Sequence, residues 1–112
     1  MDGLERAKFK DEILQYVVEN GCVQEEQVYI ALQNDNINEG NFQDVTQDMF
    51  AHHNKYFKKK TKNDIWLLEE EKGIYYDKTN YTESFLNDGG FTKIEKDRIK
   101  EAKRKREVNI DK

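Results

Sequence analysis

The sequence predicts an α+β domain: three helices, a two-stranded hairpin, then a helical C-terminal extension. Three observations carry this. Apolar residues recur at helical spacing through the first half of the chain. Two apolar runs flank a lysine-rich turn in "YFKKKTKNDIWLL", residues 56–68, the pattern of a hairpin. A glycine pair, Gly89-Gly90, then separates two further stretches of helical pattern.

Taken in order, residues 4–19 carry Leu4, Phe9, Ile13, Tyr16 and Val17, which from Phe9 onward share one helix face. Asn20-Gly21 supplies a left-handed stop. A second helix is expected over 23–33. Glu25 and Glu26 sit in its first turn, where the helix dipole favours anions, and Val28, Ala31 and Leu32 face inward with Tyr29 at the border. The stretch "NDNINEGN", 34–41, is turn chemistry. A third helix, about 41–53, has the stripe Phe42, Val45, Met49 and Phe50. In the hairpin, Tyr56–Lys60 is the outgoing strand, Thr61–Asn63 the tip and Asp64–Glu69 the return. A lone two-stranded ribbon is marginal in water, so it must lean on the helices, with Trp66 as anchor. Lys72-Gly73 reads as a turn. Asn80 and Glu83 have capping-box spacing ahead of a short helix, Thr82–Asn87, which Asp88-Gly89-Gly90 ends. Thr92 and Glu95 form a second capping box for a helix running to about Glu107. Its apolar positions, Ile94, Ile99 and Ala102, are too thin a stripe for a core. The helix is expected to project into solvent or lie on a partner. The division that follows is a domain over residues 1–78 and an extension over 79–112.

Charged residues are 38% of the chain and apolar residues 36%, against roughly 25% and 45–50% in typical domains. The charge is unevenly placed. Residues 1–53 hold 3 Lys/Arg and 11 Asp/Glu, while residues 54–78 and 79–112 are each net +2. The single cysteine, Cys22, has no internal disulfide partner, which fits a reducing compartment, and beside a helix end it reads as a buried thiol. No secretory leader pattern opens the chain, and no apolar run approaches the ~20 residues of a membrane helix. A soluble cytoplasmic protein is the expectation.

Three helices followed by a hairpin, over residues 4–76, resemble a winged-helix domain. Phe85, Leu86, Gly89, Gly90 and Phe91 resemble the Phe-Leu-x-x-Gly-Gly-Phe stretch that closes a wing-like domain before a charged helix in small bacterial and mobile-element proteins. The resemblance implies a third helix entering the DNA major groove and a wing touching backbone. It would make residues 41–53 the reader and Lys58, Lys59, Lys60 and Lys62 the wing contacts. Residues 41–53 depart from this role: they offer Asn41, Gln43 and Gln47 to bases but hold no Lys or Arg, and they carry Asp44 and Asp48. Each carboxylate set against a phosphate costs about 1–4 kcal/mol. If Asp44 and Asp48 turned from that face, or cations from elsewhere covered them, gene regulation would become the stronger reading.

Lys58, Lys59, Lys60 and Lys62 have two readings. They hold phosphates, with a log–log salt slope of about -3.6 for four contacts, or they protect an exposed strand edge from pairing. The basic tail of Lys100, Lys103, Arg104, Lys105 and Arg106 is a nucleic-acid patch or a solvated helix end supported by Glu101–Lys105. Asp44, Asp48, Ile94 and Ile99 are candidate contacts for a basic or apolar protein partner, or for self-association through the last helix. Asp48 and His52 are one turn apart, but a metal site needs three or four ligands, and no metal or cofactor is expected. Nothing basic lies near Cys22 to activate it, and there is no glycine-rich phosphate loop, so no enzyme and no small-molecule substrate is expected. Tyr75, Tyr76, Tyr81, Phe85 and Phe91 read as pinning the extension to the core rather than stacking on bases. The sequence favours a non-enzymatic protein-interaction or adaptor module. The alternative is a DNA-binding regulator, acting as a dimer, that uses the hairpin lysines and the basic tail.

Overall fold

The computed structural model describes the backbone of residues 2–110 and the side chains of residues 2–105. Helix α1 (Gly3–Asn20) begins where the Asp2 carboxylate accepts the Glu5 N–H at 2.8 Å, and ends at Gly21, whose φ of 73° suits a residue without a side chain. Strand β1 (Val23–Gln24) leads into α2 (Glu25–Leu32). Helix α3 (Glu39–His52) is capped by the Asn38 side chain on the Asn41 N–H at 2.9 Å. Strand β2 (Lys58–Lys62), a loop over 63–72 with one 3-10 turn at Glu69–Glu71, strand β3 (Gly73–Asp77), α4 (Thr82–Asn87) and α5 (Gly90–Ile110) complete the order. The sheet is antiparallel, β1-β3-β2, with Val23 and Lys59 both opposite Tyr76. The expected α+β class is observed.

The core lies between the inner face of the sheet and the first three helices. Phe9, Ile13, Leu14, Val17, Val28, Phe42, Val45, Met49, Phe57 and Tyr76 are all buried. The Tyr76 ring lies 4.7 Å from Phe57, 5.4 Å from Phe50 and 6.5 Å from Phe42, centroid to centroid. Burial and the Glu25 carboxylate that accepts its hydroxyl hold the Tyr76 phenol above its ordinary range.

The structure corrects several expectations. The strand returning from β2 is Gly73–Asp77, not Asp64–Glu69. Both segments offer alternating apolar residues. The earlier one runs into Glu69–Glu71, which a sheet packed on a core cannot bury, whereas Tyr76 fills the central position between β1 and β2. Thr61 and Lys62 therefore lie in the strand, and Trp66 is not an anchor but 78% exposed. Gly73 opens β3 at φ 128° instead of forming a turn. Val23 and Gln24 are a strand ahead of α2 because their backbone pairs with β3. Ala31 and Cys22 are exposed, and the inner face of α2 is Val28 with half-buried Tyr29 and Leu32. The predicted capping boxes do not form. Tyr81 is the N-cap of α4 without a side-chain bond, and the Thr82 hydroxyl instead accepts the Thr79 N–H and donates to the Tyr56 carbonyl at 2.7 Å.

The start of α5 is capped from a distance. The Asp11 carboxylate on α1 accepts the N–H groups of Phe91 and Thr92 at 2.8 and 2.9 Å and the Thr92 hydroxyl at 2.6 Å. It meets orphan donors at the positive end of the helix dipole. A side chain at Gly90, φ 61°, would collide with that carboxylate. Phe91 is buried among His53, Phe85 and Tyr56, and Tyr56 stacks on Phe85 at 4.0 Å. Beyond Arg98 every described side chain of α5 is exposed, and the molecule measures 69 × 31 × 21 Å. Among the described residues no helix is long and apolar enough to cross a membrane.

Candidate functional site

Two regions hold most of the residues singled out by sequence. The first is the seam between α1 and α3. Arg6 and Lys10 lie one turn apart on α1, and Asp44 and Asp48 one turn apart on α3. The Arg6 guanidinium donates to Asp44 at 2.7 Å and to Asp48 at 3.3 Å, and the Lys10 ammonium donates to Asp48 at 2.6 Å. The hydrogen bond from Lys10 leads in holding the Asp48 carboxyl below the usual carboxylate range, and the bond to Asp44 leads in raising Arg6. Lys10 is buried, and its ammonium also sits 5.2 Å from the Phe91 ring centre. The α3 carboxylates are thus paired with cations from another helix, Asp48 partly shielded and Asp44 still exposed. His52 Nε2 is 3.9 Å from the Asp48 oxygen that Lys10 leaves open. His53 is half-buried edge-on to Phe91, and burial holds its imidazole below the usual range. The exposed side of α3 presents Gln43, Asp44, Gln47 and Ala51.

The second region is the hairpin. All five residues of β2 are exposed, and β2 is an outer strand of the sheet. Strand alternation places Lys58, Lys60 and Lys62 on one face and Lys59 on the other. Lys60 reaches Asp77 at 3.6 Å, Lys62 lies 4.2 Å from the Tyr75 ring centre and Lys59 lies 5.1 Å from that of Phe50. The loop beyond carries Asp64, Glu69, Glu70 and Glu71, so residues 58–77 hold five lysines against five carboxylates. Within the loop, Lys72 pairs with Glu69 at 2.9 Å and the Glu71 carboxylate accepts the Leu68 N–H at 3.3 Å. Between the charges, Ile65 is 91%, Trp66 78% and Leu68 60% exposed. Three large apolar side chains grouped at a loop tip are the most prominent apolar exposure on the described molecule.

The remaining candidates are dispersed along α5. Ile94 is 56% and Ile99 43% exposed, and Lys100, Lys103, Arg104 and Lys105 are exposed. The side chain of Arg106 lies outside the described residues. Helix α5 packs on α1 and α4. A cleft of about 300 Å³ between α2 and α3 is lined by Glu25, Glu26, Tyr29, Ile30, Glu39 and Phe42. Of the aromatic set, Tyr76, Phe85 and Phe91 pack into the body, Tyr75 is half-buried with its hydroxyl on the Glu71 carbonyl, and Tyr81 is exposed beside Lys55.

Sequence reasoning missed the pairing cations and the outward tip. The first had a readable signal: an i, i+4 pair of cations, Arg6 and Lys10, on one amphipathic helix and an i, i+4 pair of carboxylates on another. The second had one as well, because Ile65–Leu68 is bounded by Asp64 on one side and three glutamates on the other. Comparison with protein-family models, curated proteins and solved structures finds no match to this chain.

Proposed function

We propose that this protein is a non-enzymatic protein-interaction module on a winged-helix-like fold, and that its contact surface is the tip of the wing between β2 and β3. The exposure of Ile65, Trp66 and Leu68 carries the reading. The element order and the β1-β3-β2 sheet support the winged-helix comparison. Tryptophan is enriched among residues that dominate binding energy at protein interfaces, and a bulky apolar tip gains from burial in a partner. Phosphate recognition by the same hairpin is opposed by its own composition, since its carboxylates equal its lysines in number.

A specific observation favours a second reading, duplex DNA binding. Arg6 and Lys10 pair with Asp44 and Asp48, which weakens the local like-charge objection, and Gln43 and Gln47 are exposed. What keeps it second is the wider field. Residues 1–53 remain net -8 with Arg6 and Lys10 counted, and the wing adds no net positive charge to offset them. The basic end of α5 is the exception.

The test compares the full chain with an Ile65→Ser, Trp66→Ala, Leu68→Ser variant as immobilised bait, alongside a duplex-DNA retardation assay at low salt. The interaction reading expects a stoichiometric protein captured by the native chain and lost by the variant, and no DNA retardation. Identical captured proteins for both baits, or retardation that disappears when Lys58, Lys59, Lys60 and Lys62 become Gln, would transfer the function to DNA or to another surface.

A further inference from the structure

We infer that the wing pairs with the wing of a second copy of this chain, tip against base, about a two-fold axis. The inference rests on the interaction reading of the tip and names its occupant.

The hairpin carries unpaired charges of both signs beside its exposed apolar tip. Strand β2 carries Lys58, Lys59, Lys60 and Lys62, and the loop that follows carries Ile65, Trp66 and Leu68 between Asp64 on one side and Glu69, Glu70 and Glu71 on the other. The outer edge of β2 has no strand partner among the described residues. An exposed edge is a template for another chain, and lysines are a common guard against this. Here the guard is selective. Two copies joined β2 to β2 would set lysines directly against lysines, which is destabilising. Two copies joined tip to tip would set carboxylates against carboxylates. Insertion of the tip into the cleft between α2 and α3 would bring the same carboxylates to Glu25, Glu26 and Glu39. Of these arrangements, the offset antiparallel one places each acidic loop against the other copy's lysine strand and closes both apolar tips between them.

That arrangement is isologous: when loop meets strand on one side, symmetry supplies the same contact on the other. Three exposed apolar side chains form a small contact, and small contacts are characteristic of transient complexes. Its charge pairs lie at the surface, so association weakens as salt rises.

The experiment uses sedimentation velocity on the full chain across the micromolar range, with two charge-reversed variants. One is Lys58→Glu with Lys62→Glu; the other is Asp64→Lys with Glu70→Lys. None of these four side chains is in a salt bridge or side-chain hydrogen bond among the described residues. Circular dichroism checks that each variant keeps its helix content. The native chain is expected to move from monomer towards dimer with concentration. Each variant alone should stay monomeric where the native chain dimerises, and an equimolar mixture of the two should dimerise again, because each reversed strand then meets a reversed loop. A native chain that stays monomeric, a dimer that survives both reversals, or a mixture that fails to recover association would each overturn the pairing. A monomeric chain whose bait still loses its protein on substitution of the tip would overturn the pairing alone and leave the interaction reading standing.

Discussion

The seam between α1 and α3 and the hairpin between β2 and β3 hold similar residues and arrange them in opposite ways. In the seam, Arg6 and Lys10 meet Asp44 and Asp48 directly, and Asp11 on the same helix holds the first turn of α5. Charge there is used inward, as clips between helices. In the hairpin, Lys60 meets Asp77 and Lys72 meets Glu69, but Lys58, Asp64 and Glu70 have no ion-pair partner among the described residues, and the apolar residues between Asp64 and Glu69 face water. Paired, partly shielded charges with apolar residues behind them serve the fold. Unpaired charges around exposed apolar residues have no such use inside the molecule, which directs attention to a partner.

The comparison can be broken most forcefully at its two aromatic residues. Tyr76→Ala removes the ring at the centre of the core and should cost about 3–5 kcal/mol, read as a lower urea midpoint. Trp66→Ala, in the same hairpin, should leave stability within about 0.5 kcal/mol, as exposed substitutions do. Comparable losses for the two would mean that the tip is part of the core.

Next in size is the seam. Asp48→Ala leaves the Lys10 ammonium without its carboxylate and should cost about 1–2 kcal/mol, allowing for partial exposure. The folded pKa of Asp48 lies below its unfolded value, so its contribution is complete above about pH 3.9 and fades as pH falls through the lower folded value. Urea midpoints measured down the acid range should fall less steeply for the variant. Asp11→Ala should cost about 1–2 kcal/mol as the loss of a helix cap, with helical signal lost from α5. An unchanged spectrum would mean that Phe91 alone seats the helix.

The smallest effect is at His53. Burial lowers its folded pKa below about 6.5, so the unfolded chain binds more protons in the window beneath that value, and stability rises with pH there. Acidification should therefore weaken the fold until the folded pKa is passed, then stop weakening it through this group. Lys10 and His52 add to the cost of a proton on His53, and Asp48 opposes it. His53→Gln should flatten the slope between about pH 7 and about pH 5.

Helix positions were legible because they rest on local periodicity. Phe9, Ile13 and Val17 on α1, and Phe42, Val45 and Met49 on α3, lie in the core where the spacing puts them. Strand pairing was less legible because it is decided at long range. Ile65–Leu68 and Ile74–Tyr76 are locally equivalent candidates, and only the place between β1 and β2, with Tyr76 buried in the core, chooses between them. The side-chain bonds that anchor the starts of α4 and α5 were missed for a related reason. Thr82 bonds to Tyr56 and Asp11 to Phe91 across the fold, while the short capping pattern looks three residues ahead. The same holds for the candidate site. Its residue types were visible in the opening lysine stretch, but their exposure was not.

The central claim is that the only tryptophan of the chain faces solvent, and its own fluorescence reports on that directly. In dilute protein at low micromolar concentration or below, Trp66 should emit as a solvated indole, be quenched readily by acrylamide, and change little in emission wavelength when urea unfolds the chain. A blue-shifted emission protected from quencher, moving to longer wavelength only on unfolding, would place Trp66 in the core and contradict the account.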